Sequence, residues 1–313
     1  MKRLQKPAIA ILTLVFIVLI LANISISDVG RSLLSIGWWT LALCLLLHFC
    51  VYVLRSLAMN VFLSGEVPFR YLLVSHLIHN FYLNILPVNM GELSLPLMLS
   101  RFVSKTRSFS VLLITRLVGV LVMLALFLTS VFYVFHGFSQ LDLNFSRIVT
   151  GIIVLTAIPG MLFLLWKSNL SKLPLMKKLI AKLTGLKDSI VYSFQHELTL
   201  AKAIYLILIT LAYTTFLALF FQLILTRLSI SVSIIEMFFI MSLHLAVLIL
   251  PIKSFAGIGT TEGVWMLGMV ALGIGSKVAL ESGVVIHIIS LFSATVFFLI
   301  GLAVRHLTDR KAA

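Results

Sequence analysis

The sequence predicts an all-α polytopic membrane protein, an inverted repeat of transmembrane helices built around two broken, re-entrant helix hairpins. Three observations carry that prediction. Apolar residues make up 61% of the 313 and charged residues 11%. A soluble domain holds roughly 45–50% apolar and 25% charged residues, so a water-soluble enzyme is excluded. Long apolar stretches recur along the chain, and two further ones are interrupted by proline, glycine and glutamate.

The first stretch, 7–26, follows Lys2, Arg3 and Lys6. Its apolar core is long and Asn23-Ile24-Ser25 makes a poor small-residue cleavage site, so region 1–30 reads as a retained anchor and not a cleaved leader. Stretches 38–63, 111–136, 148–166, 203–226 and 282–304 complete six spans of about the 17–25 residues a bilayer requires. Cys44 and Cys50 share one span, which leaves no disulfide framework.

The broken stretches are hairpins 71–100 and 231–275. The first contains Asn84-Ile85-Leu86-Pro87-Val88-Asn89-Met90-Gly91-Glu92, and the second Leu250-Pro251-Ile252-Lys253-Ser254-Phe255-Ala256-Gly257-Ile258-Gly259-Thr260-Thr261-Glu262. Proline removes a backbone donor and glycine weakens the ladder, so neither suits a straight lipid-facing helix.

Charge decides how these hairpins lie. If each enters and leaves on one side, both termini and the lysines from Lys167 to Lys202 are cytoplasmic, while only Arg31, Arg147, Arg227 and Lys277 lie outside. A single crossing by the first hairpin puts those lysines outside, against the positive-inside bias. Two short full crossings give the same parity as a hairpin. The chain then divides into a first repeat, 38–136, a connecting span with a basic interfacial helix, 148–202, and an upside-down second repeat, 203–305. In the interfacial helix Ile190, Val191, Phe194, Leu198 and Ala201 oppose Lys187, Gln195 and Glu197, the pattern of a segment lying on anionic cytoplasmic lipid. The net charge of +14 therefore reads as membrane orientation, with no nucleic-acid partner.

Inverted repeats with discontinuous helices put a binding site near the bilayer midplane, so the site is expected where the two hairpin tips meet. A charged side chain there costs about 2.5–3.5 kcal/mol on insertion scales and calls for a cavity or a partner. The candidates are Arg55, Glu92, Arg116, Glu236, Lys253 and Glu262. Two readings stand side by side. In one, Asn89 with Glu92, and Thr260 with Glu262, merely cap the second arm of each hairpin. In the other, the helix N-termini face a cavity and hold an anionic headgroup such as a phosphate, with Arg55, Arg116 and Lys253 as counter-charge. Arg55 and Arg116 also lie close enough to the inner ends of their spans to snorkel. The candidate substrate-binding residues are Asn84, Pro87, Asn89, Gly91, Glu92, Arg116, Lys253, Gly257, Gly259, Thr260 and Glu262.

His76, His79, Asn80 and Asn84 share one helical face and read as a cavity lining or as helix–helix hydrogen bonding. A metal site needs a further ligand, so neither metal nor cofactor is expected. His48, His136, His196, His287 and His306 carry no readable signal. The chain has no GxxxxGK[ST], HExxH or GxSxG, so ATP hydrolysis by it is not expected.

The broken segments resemble the flippase-like membrane domain of the lysylphosphatidylglycerol synthase/flippase family. The matching pieces are Asn84-Ile85-Leu86-Pro87 with Gly91-Glu92 and Arg101, then Arg116-Leu117-Val118-Gly119, and Leu250-Pro251 with Gly257-Ile258-Gly259-Thr260-Thr261-Glu262-Gly263. The resemblance covers nearly the whole chain. It implies a lipid-translocating fold with two opposed re-entrant hairpins whose acidic and basic residues line the lipid path. The resemblance implies an acidic residue in many relatives at a position where this chain has Val118 or Gly119. The sequence ends at Ala313, directly after the last span, so aminoacyl transfer from tRNA is not expected of it.

The resulting expectation is a flippase-like transporter in the plasma membrane that moves an amphiphile with a polar, phosphate-containing headgroup between leaflets. It is no enzyme on this reading, and its partners are membrane lipids with anionic headgroups. A homo-oligomer, and a drive by lipid gradient or by proton coupling through Glu92 or Glu262, are left open. The rival expectations are a membrane enzyme acting on a polyprenyl-phosphate lipid, with Glu92 or Glu262 as general base, and a scaffold subunit for a lipid-modifying partner.

Overall fold

The computed structural model describes residues 2–134, 198–249 and 254–310, which form helices with no strand among them. Helix α1 (Lys2–Asn23) ends where Asn23 folds its amide back to donate to the Leu19 carbonyl (2.7 Å). The chain then bends by 82° into α2 (Ile26–Ser35). Asp28 in the first turn of α2 suits the positive end of its dipole and pairs with Arg31 at 2.5 Å. Gly37, at φ +70°, makes the left-handed corner into α3 (Trp38–Leu63). Trp38 and Trp39 are 84% and 89% exposed there, as amphipathic rings at a membrane surface are.

At 26 residues α3 is about 39 Å long, enough to cross a bilayer. Helix α4 (Phe69–Ile85), with 17 residues, stops at a proline. Leu86 is held extended (φ −75°, ψ 134°) ahead of Pro87, and Pro87 opens a 3₁₀ segment, Pro87–Leu93, which runs into the short α5 (Ser94–Leu99). This arm folds back along α4: Tyr71 Oη donates to the Met98 carbonyl (3.0 Å) near the hairpin's open end. Helix α6 (Lys105–Val134) completes the first half.

The second half repeats the order. Helix α7 (Leu200–Arg227) is followed by α8 (Ile234–Ile249), a 3₁₀ turn at Phe255–Gly257, α9 (Thr260–Ala271) and α10 (Ser276–Arg310). Helix α9 returns along α8, with Ile240 against Gly268 and the His244 ring 6.3 Å from Trp265. Ala256, Gly257 and Gly259 all take left-handed backbone angles, which bends the second tip sharply.

Among the described residues four helices, α3, α6, α7 and α10, are long and apolar enough to cross a membrane, and a fifth span is reached if the bent α1–α2 pair is counted as one. The chain is therefore a multi-pass helical membrane protein. The spans expected at 38–63, 203–226 and 282–304 fall on α3, α7 and α10, and that at 111–136 on α6, which begins six residues earlier because Lys105 to Ser110 continue its helix. The connecting span 148–166, most of the basic interfacial helix, Pro251 and Lys253 lie outside the described residues. Glu236 is no stranded membrane charge. Its carboxylate accepts from the Ser233 N–H (2.7 Å) while its own N–H donates to Ser233 Oγ (3.3 Å), a reciprocal cap that opens α8.

Packing pairs the halves by exchange. Helices α3 and α7 run antiparallel: His48 meets Phe220, Arg55 meets Tyr213 and Phe62 meets Lys202. Helix α4 of the first hairpin packs on α10, with Phe81 stacked on Phe298 at 4.3 Å. Its counterpart α8 packs on α6, where Ser242 Oγ donates to the Met123 carbonyl (3.2 Å) and Phe239 faces Phe127. Each hairpin sits in its own apolar cluster, one around Leu72, Leu95, Leu99 and Ile114, the other around Phe239, Trp265 and Ile286.

Candidate functional site

The two 3₁₀ segments touch each other inside the bundle, so the tips meet where the sequence places the site. At the first tip Gly91 lies against the end of α4. A Cβ there falls 2.4 Å from the Tyr82 carbonyl oxygen, a distance only glycine avoids. Ser94 Oγ donates to the Gly91 carbonyl (2.7 Å) and accepts from His79 Nδ1–H (2.7 Å), which ties the tip to α4. Because the serine hydrogen is already committed, the neutral His79 ring carries its proton on Nδ1 and turns a bare Nε2 toward Glu92, 3.9 Å from Oε2.

Arg116 of α6 reaches the same carboxylate, its Nη2 lying 3.0 Å from Oε1 and 3.1 Å from Oε2. The two side chains are 36% and 26% exposed, so the pair faces an opening. Arg55 of α3 stands close by, with its guanidinium 5.2 Å above the Tyr213 ring and within electrostatic reach of both Arg116 and Glu92. Among the described residues no carboxylate lies within 4 Å of Arg55. Gly119 lets the Tyr213 hydroxyl come near α6. His79 Nε2 and Arg116 Nε are buried with no hydrogen-bond partner among the described residues.

Behind this cluster runs a buried polar chain. Ser293 Oγ bonds His48 Nδ1 (2.7 Å), His48 Nε2 meets the Tyr52 hydroxyl (3.2 Å), and Asn80 donates to the same hydroxyl (2.8 Å). Asn84 donates to the Asn80 carbonyl (2.7 Å), and Ser56 pairs with His76 Nδ1 (3.1 Å). It joins α3, α4 and α10 and keeps their polar faces satisfied inside an apolar bundle.

The second tip is closed on itself. Gly259 takes the N-cap of α9 at φ +82°, and its N–H donates to Glu262 Oε2 (2.7 Å). Glycine has no side chain to return the bond, so this is half a capping box. Thr260, expected as the cap, is instead the first residue of α9, and its hydroxyl donates to the Gly257 carbonyl (2.9 Å). Glu262 Oε1 lies 2.6 Å from His287 Nδ1 on α10, and His287 Nε2–H donates to the Ala256 carbonyl (2.9 Å). Helix α1 leans on the same tip: Thr13 Oγ1 accepts from the Phe255 N–H (3.2 Å), and the Phe16 ring fills the space beside Gly259.

The structure thus gathers Pro87, Gly91, Glu92 and Arg116 at one tip, with Asn84 on the arm leading to it, and Gly257, Gly259, Thr260 and Glu262 at the other. Asn89 falls inside the first 3₁₀ segment, and the N-cap position of α5 is Leu93. Lys253 lies outside the described residues. Sequence reasoning passed over His48 and His287, whose partners stand far away in the chain. The model of the family described as the lysylphosphatidylglycerol synthase TM region matches residues 6–297. No curated protein and no solved structure matches the chain.

Proposed function

The chain belongs to the family of the lysylphosphatidylglycerol synthase transmembrane region, and from that premise we propose that it is a flippase-like transporter for a phosphate-bearing lipid headgroup. Family membership supports a membrane lipid-related function. The observation that carries the finer reading is Arg55, a cation within an apolar span with no carboxylate partner among the described residues, beside Arg116, whose one carboxylate is Glu92. Among the described residues two guanidinium groups stand against a single glutamate, which leaves a surplus positive charge next to a broken helix. A phosphate is the ligand that offsets it, and guanidinium matches phosphate in shape and hydrogen bonding.

On this reading the headgroup passes the first tip, held by Arg55 and Arg116, while Glu92 holds Arg116 when no phosphate is there. His79 Nε2 accepts from a headgroup hydroxyl or water. The acyl chains stay in the bilayer and no bond of the lipid is broken. Access alternates between leaflets through the inverted repeat. The antiparallel pairing of α3 with its counterpart α7, and the matched exchange of α4 onto α10 and α8 onto α6, support that symmetry. Each hairpin's fold-back supports the re-entrant reading. The basic residues set the orientation, both termini facing the cytoplasm and the chain seated in the plasma membrane.

The test is reconstitution into liposomes with a fluorescent phosphatidylglycerol, its outer-leaflet copies bleached by an impermeant reductant. Wild-type protein is expected to bring inner-leaflet label to the reductant, and Arg55→Met and Arg116→Met to lose that acceleration. Wild-type rates in both variants overturn the proposal, and a chemically altered lipid in the extract overturns transport in favour of catalysis.

A further inference from the structure

Hydrogen-bond bookkeeping at the second tip points to a bound proton. His287 is 8% exposed and Glu262 is 5% exposed. The Ala256 carbonyl can only accept, so the 2.9 Å contact fixes a hydrogen on His287 Nε2. In a neutral ring Nδ1 is then a lone pair. It faces Glu262 Oε1 at 2.6 Å, and two lone pairs do not meet at that distance inside a protein. One hydrogen must lie between them, whether drawn as imidazolium with carboxylate or as imidazole with carboxylic acid. Glu262 Oε2 is occupied by the Gly259 N–H, so no backbone donor substitutes for it.

We infer that Glu262 and His287 together hold one exchangeable proton that locks the second hairpin tip, and that opening of this tip hands the proton to water. With the proton the pair is neutral. Without it the pair is a buried anion with an opposed lone pair, a state that burial penalises heavily. The 2.6 Å contact needs the proton only while the tip is closed, so by linkage a proton gradient biases the tip between closed and open. Ala256 adds to the tendency to open: it is a non-glycine residue at φ +53°, held left-handed while its carbonyl is tied to His287. Among the described residues the titratable groups on the elements packed against this tip include His244 on α8, His76 and His79 on α4, and Glu92 on the first tip, which is paired with Arg116. His244 is within electrostatic reach of both members of the pair and shares its Nδ1–H with the Ile240 carbonyl (3.4 Å). From α1 the tip meets Thr13 and Phe16, which do not titrate.

The use of this proton to drive lipid movement rests on the function proposed above; its location does not. Two experiments separate them. In detergent, ¹⁵N-histidine NMR of the whole protein is expected to show the His287 signals, assigned by their loss in His287→Gln, with Nε2 protonated and Nδ1 in a short hydrogen bond that holds the further proton. An Nδ1 that neither carries a hydrogen nor accepts one in a hydrogen bond overturns the proton assignment whatever the protein transports. In liposomes holding a trapped pH dye, wild type is expected to move protons with fluorescent phosphatidylglycerol and to respond to an imposed pH gradient. His287→Gln, whose amide can still donate to Ala256, is expected to move the lipid down its gradient with no proton flux and no pH response. Lipid movement by wild type without protons, or a retained pH response in His287→Gln, overturns the coupling. Absence of any lipid movement by wild type overturns the transport reading and with it the coupling, leaving the NMR result to decide the proton.

Discussion

Replacing Arg55 by methionine separates a functional cation from a structural one, because the two predict opposite signs. An arginine at the centre of a membrane helix costs about 2.5–3.5 kcal/mol on the insertion scale. In this protein its one described contact is the Tyr213 face at 5.2 Å, and a cation over an aromatic ring contributes about 0.5–2 kcal/mol. Methionine has comparable length and no charge, and it relieves the repulsion between Arg55 and Arg116. Arg55 lies off the helix centre, eight residues before the end of α3, so that insertion cost is an upper bound, and the difference predicts that Arg55→Met is more stable than wild type by up to about 3 kcal/mol, a rise of at most a few degrees in midpoint for a chain of this size. The assay is thermal unfolding in detergent, followed by the tryptophan fluorescence of the purified protein, beside lipid translocation by the same preparation. The expected outcome is a higher midpoint with translocation lost. A lower midpoint with translocation intact refutes the reasoning and makes Arg55 a tie between α3 and α7.

Three further outcomes are expected. Gly91→Ala drives a Cβ against the Tyr82 carbonyl and is expected to cost about 1–3 kcal/mol in denaturant unfolding while slowing translocation. Glu92→Gln frees Arg116; since both side chains are a quarter to a third exposed, stability falls by no more than about 1 kcal/mol, but more phosphate-bearing lipid is retained on purification and its release slows. Gly259→Ala meets the Phe16 ring and a left-handed backbone angle, so it destabilises. Adding Phe16→Ala is expected to recover the steric part alone, and a double-mutant cycle measures that fraction.

Hydropathy announced α3, α7 and α10, because a bilayer imposes one length and one composition on whatever crosses it. Pro87 announced the first break for an equally local reason: it fixes its own φ and the extended conformation of Leu86. Glu92 and Arg116 were legible as charges in the wrong solvent, and their pairing across the tip is how that cost is met. Local patterns failed elsewhere. Helix α2 was absorbed into the anchor, since the bend that frees it is set by Ser25 and by packing on α10, where Ser32 donates to Glu281 (2.7 Å). Glu236 was counted among the membrane charges although Ser-x-x-Glu at Ser233 spells its cap. His287 was invisible because its role needs a carboxylate from α9 and a carbonyl from the second tip, which only the fold brings together.

The exchange of hairpin arms carries a consequence for biogenesis. Helix α4 packs on α10 as well as on α3, and α8 packs on α6 as well as on α9, so each hairpin completes its packing only across the two halves. Until α10 is made, the side of α4 that meets it, with Phe81, is left uncovered, while Asn80 and His76 are already bonded to α3. The two halves, expressed as separate polypeptides, should rebuild the bundle only when both are present, and each alone should be degraded.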